Sequence, residues 1–61
     1  MEPHQQRVVD ELAALETKIR KLRIFLETET FAHADDTDRA LLGMQYGHMI
    51  GYRECLKKRL A

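Results

Sequence analysis

Four basic side chains near the two ends of the chain could bind an anion: Arg7, and Arg53, Lys57 and Arg59. A guanidinium offers forked donors and an ammonium a compact charge, and both suit phosphate oxygens when rigid elements hold them. Tyr46 and Tyr52 fall in the same C-terminal part of the chain and could stack on a planar base or pack into a core. Covalent chemistry is poorly supplied. The sequence contains no serine, so a serine–histidine–aspartate arrangement is impossible, and Cys55 has no evident histidine framework. His48 and Cys55 stand seven apart on one side of a helix, but two ligands do not make a zinc site. No catalytic group, no metal and no cofactor are expected.

The elements that must position these residues are helical. Pro3 suits a first helical turn, and Val8, Leu12, Leu15, Ile19, Leu22 and Leu26 follow at spacings of four and three. The run ETETFAHADDTD breaks that period. Thr28, Thr30 and the Asp35–Asp38 cluster favour caps and a turn. Beyond it, Leu42, Gln45, Met49, Tyr52 and Leu56 repeat the heptad-type spacing, and Lys57, Lys58 and Arg59 suit a helix C-terminus.

Positions whose numbers add to 64 match along the two seams, from Val8 with Leu56 to Leu22 with Leu42. The turn then centres near residue 32, with Phe31 placed to plug the end. The expected fold is all-α: an antiparallel two-helix hairpin with helix one over about 3–28, a turn over about 29–35 and helix two over about 36–60. Each helix would be about 38 Å long. Ile19 would face Gln45 in mid-seam, where a polar residue fixes register. Tyr52 would be a core aromatic with its hydroxyl at the rim, and Tyr46 would point sideways, the better placed for stacking. On this pairing Arg7 lies beside Arg53, Lys57 and Arg59, a basic end moderated by Asp10, Glu11 and Glu54. Lys18, Arg20, Lys21 and Arg23 read as a solvated face pairing with Glu16 and Glu27.

All three glycines lie in helix two, at 43, 47 and 51. Each costs about 1 kcal/mol relative to alanine in a helix interior. With Gln45 at zero they fall about 120° to 160° around the helix, joined there by Ala40. Such a stripe admits another helix at close range. A single seam is also little core for 61 residues. Ala40, Gly43, Gly47 and Gly51 therefore read as the interface of a homo-oligomeric helical bundle.

Ten basic and ten acidic residues leave no net charge, which argues against a general nucleic-acid binder. One cysteine excludes an internal disulfide and fits a reducing, cytoplasmic setting. No signal-like segment or apolar span suggests export or a membrane.

The chain resembles small bacteriophage proteins of a type named for a crAss-like phage. The matching residues are Gln6, Arg7, Val8, Val9 and Glu11; Lys21, Leu22 and Phe25; Phe31; and Leu42, Gln45, Met49, Tyr52, Leu56 and Arg59. Their layout is similar to the helical-hairpin sponges that phages use against cyclic-nucleotide immunity, the anti-CBASS and Thoeris anti-defence proteins. That resemblance implies a homo-oligomer that sequesters a cyclic di- or trinucleotide, or a cyclised ADP-ribose, without cleaving it. The ligand residues Arg7, Tyr46, Tyr52, Arg53, Lys57 and Arg59 rest on the charge reading alone. The alternative is a hairpin whose glycine face docks a host or phage protein.

Overall fold

A computed structural model describes residues 2–61. Two long helices, α1 (Pro3–Leu26) and α3 (Asp36–Leu60), flank a one-turn helix, α2 (Glu29–Ala32). The long helices lie side by side in a body of 46 × 15 × 13 Å. Pro3 occupies the first turn of α1, where its missing N–H is no loss, and Gln5 Oε1 accepts from the Glu2 N–H at 3.4 Å.

The connection is built from caps. Thr28 Oγ1 donates to the Phe25 carbonyl at 2.6 Å and accepts from the Phe31 N–H at 3.2 Å, closing α1 and opening α2 with one side chain. Phe31 meets Phe25 edge-on, with ring centroids 5.9 Å apart. Asp35 then caps α3, accepting from the Asp38 N–H at 2.8 Å. Acidic residues in the first turn of α3 and Lys57, Lys58 and Arg59 in its last turn oppose the helix dipole at both ends.

Val8, Leu15, Ile19 and Leu56 are buried, and Leu56 is fully enclosed. Leu12, Tyr46, Met49, Ile50 and Leu60 pack around them. The α1 stripe is the one its spacing suggests. The α3 stripe is not: Gln45 is exposed and Tyr52 is 43% exposed, whereas Tyr46 and Arg53 are half-buried. The seam of α3 runs Leu42, Tyr46, Met49, Arg53, Leu56 and Leu60, again at spacings of four and three. The helix is thus turned by about 40° from the expected face. Tyr46 packs against the core instead of pointing sideways. Tyr52 moves to the rim, where its hydroxyl donates to Glu11 Oε1 across the seam.

The accessible surface is 4737 Å². A folded monomer of this size exposes about 4,100 Å², so about 600 Å² more is left in water.

Leu56→Ala should cost about 2–5 kcal/mol by opening a cavity in so small a core, read as loss of helical circular dichroism on heating. Ile24→Ala, at an exposed site, should stay within about 0.5 kcal/mol. The Glu11 hydrogen bond, with lesser contributions from burial and from the Glu11 charge, raises the Tyr52 phenol above its ordinary value, and Arg59 opposes the shift. An acid whose pKa is raised by folding stabilises the fold below its unfolded pKa of about 10 and loses that contribution as pH climbs through the folded value. In Tyr46→Phe protein, ultraviolet titration should place Tyr52 above free tyrosine, and Glu11→Ala should return it.

Candidate functional site

Two grooves flank the seam, and their chemistry differs. One is polar, about 240 Å³, and is lined by Glu16, Ile19, Arg20 and Arg23 of α1 and by Arg53 of α3. Arg53 belongs to the seam of α3 through its aliphatic stem, a common way for arginine to cover apolar surface. Its side chain is 28% exposed. Its Nε lies 3.5 Å from Glu54 Oε1, outside hydrogen-bond geometry, and this buried donor has no partner among the described residues. A buried donor without an acceptor costs about 1–3 kcal/mol. Lys57 Nζ reaches the same Glu54 oxygen at 3.9 Å, so one carboxylate gathers both cations.

The second groove, about 600 Å³, runs along α3 and is mainly apolar. Leu41, Met44, Gln45, His48, Met49 and Tyr52 line it. Leu41 and Met44 are 56% and 59% exposed, which is unusual for aliphatic side chains in a chain with so little core.

The six expected ligand residues divide between the two sides of the seam. At 100° per residue, Tyr46, Arg53 and Lys57 lie within about 40° of one another on the side of the polar groove. Tyr46 precedes Arg53 by two turns, about 10.5 Å along the axis, and its ring is half-buried against the core. Tyr52 and Arg59 lie on the other side, with Glu11 and, one turn earlier on α1, Arg7. Arg53 is therefore drawn away from the Arg7 end and towards Arg20 and Arg23.

These two arginines were legible as a basic cluster but not as groove lining. Their distinguishing feature is an i, i+3 spacing beside the seam on the face that Arg53 reaches. Arg7, Arg59, Lys18 and Lys21 are exposed.

Ala40, Gly43, Gly47 and Gly51 point away from α1 and are exposed, and a Cβ added at any of the glycines meets nothing within 4 Å. No packing within the chain therefore requires glycine at these positions. Cys55 is a free, exposed thiol. Among the described residues no three histidine, cysteine, aspartate or glutamate side chains group as metal ligands, and no helix is long and apolar enough to cross a membrane.

A small protein of Enterobacteria phage T4, described as an uncharacterized 7.5 kDa protein in the denB-rIIB intergenic region, is 40% identical over 58 residues. The match covers 95% of this chain and 91% of that protein, in agreement with the resemblance to small phage proteins. No solved structure matches the chain. The profile of the Sequestin family, whose name speaks of sequestration and so of a binding role, matches residues 2–61. With essentially the whole sequence inside that match, the chain belongs to the Sequestin family.

Proposed function

We propose that the protein is a phage anti-defence sponge, which binds a cyclic nucleotide immune second messenger in the host cytoplasm and holds it without cleaving it. The ligand would be a cyclic di- or trinucleotide or a cyclised ADP-ribose. The scaffold is an antiparallel hairpin that self-associates into a homo-oligomeric bundle, with Ala40, Gly43, Gly47 and Gly51 at the contact between copies. The family's name and a small phage relative support a sequestering role.

One observation carries the ligand class. Arg53 brings a buried donor without a partner into a groove that also holds Arg20 and Arg23. Phosphate oxygens accept from guanidinium groups gathered in this way and offset the three positive charges, which Glu16 and Glu54 balance only in part. Lys57 adds a fourth cation at the rim, and Tyr46, two turns away on the same side, offers the edge of its ring to a base. Arg7, Tyr52 and Arg59 form a second cationic and aromatic group on the opposite side, available to a ligand that spans two copies.

The exposed apolar groove favours a second reading, in which the outer face of α3 docks a host or phage protein and no nucleotide binds.

Isothermal titration of the purified protein with a panel of cyclic di- and trinucleotides and cyclic ADP-ribose isomers tests the proposal. At least one should bind saturably and be recovered at unchanged mass after heat release. Arg53→Ala should weaken it about tenfold or more, the loss of a charge-assisted contact. Full affinity in Arg53→Ala would remove the assigned site, and no binding across the panel would favour the protein-docking reading.

A further inference from the structure

The outer face of α3 lacks carboxylates, lysines and arginines over a length unusual for this chain. From Ala40 to Tyr52 there is no aspartate, glutamate, lysine or arginine, although these make up 33% of the chain, and His48 is the one titratable base in the stretch. Half-buried seam residues account for only part of that stretch. Leu41, Met44 and Tyr52 stand in water beside the apolar groove, next to glycines whose missing side chains leave the backbone bare. Depletion of charge around exposed large apolar groups is the signature of an interface core, whereas a solvated helix face carries charge. The surface also exceeds that of a folded monomer by about 600 Å², and one side of a stable interface covers about 800 Å².

We infer that this face is occupied by a second copy of the chain, its α3 lying antiparallel to the first about a two-fold axis between Gly47 and His48. The inference rests on the self-association part of the proposed function and not on its ligand.

The register follows from the residue sizes. In an antiparallel two-fold pair, residues at the same height have a constant sum, and a midpoint between 47 and 48 sets it at 95. Met44 then shares a layer with the partner's Gly51, His48 with the partner's Gly47, and Cys55 with the partner's Ala40. Every layer combines one larger and one small side chain, so the helices approach closely without a void or a clash. Shifting the midpoint to Tyr46 sets Met44 level with His48 and leaves both crowded. On the groove side of the pair, Leu41 lies within one turn of the partner's Tyr52, which covers the exposed part of both.

This arrangement makes an unusual demand on a single cysteine. Two His48 side chains lie close together at the axis, whereas Cys55 and its mate are about 22 Å apart along the helices, far beyond disulfide reach. The test is oxidative cross-linking without nucleotide, alongside light scattering. Cys55→Ala/His48→Cys protein should convert to a covalent dimer, while unsubstituted protein should not cross-link through Cys55.

Gly47→Glu, which meets open space within its own chain, should keep its helical circular dichroism and run as a monomer. A monomeric unsubstituted protein overturns the inference, as does an assembly that cross-links through Cys55 or survives Gly47→Glu. Cyclic-nucleotide binding is scored separately on the same samples: a cross-linking dimer that binds none leaves this interface standing and removes only the ligand reading.

Discussion

Burial of Leu56 against Val8, Leu15 and Ile19 is the contact on which the rest depends. It joins the last turns of the chain to the first helix, so both long helices are held along their length by one narrow apolar seam. No second layer backs that seam. Each helix accordingly has one face committed to its neighbour and the remainder left to water or to another molecule.

The angular setting of α3 about its own axis decides what the exposed faces offer. With Tyr46 and Arg53 turned inward, the Arg53 stem lies across the seam and its guanidinium joins Arg20 and Arg23. The same rotation carries Tyr52 outward to Glu11 and sets Leu41 and Met44 in solvent. The cationic groove and the apolar groove are therefore two consequences of one packing choice, set beside a glycine stripe that faces outward in either case. A ligand site and a contact between copies can coexist on so small a chain because they use different sides of the same helix.

Much of this was legible in the residues. The α1 seam is unambiguous because only one set of positions repeats at heptad spacing, and the glycines fall on the outer face under either setting of α3. The setting itself was not legible. Leu42, Met49 and Leu56 serve two overlapping seams, one completed by Gln45 and Tyr52 and the other by Tyr46 and Arg53. Each set contains one aromatic and one polar residue, so hydropathy does not separate them. The choice depends on what the polar member can do: the long Arg53 stem covers apolar surface and delivers its charge to the groove, while Tyr52 at the rim finds Glu11. The short α2 was hidden for a related reason, since Thr28 is both the end of one helix and the cap of the next. Which arginines share a groove depended on the same rotation, and the site was visible as chemistry before it was visible as geometry.

Native mass spectrometry of the purified protein, with and without a mixed panel of cyclic nucleotides, tests most directly the claim that this is a self-assembling binder that holds its ligand intact. The expected spectrum is an even-numbered assembly that gains unmodified nucleotide mass in a fixed ratio to its chains. A bare monomer that takes up no nucleotide would contradict both halves of that claim.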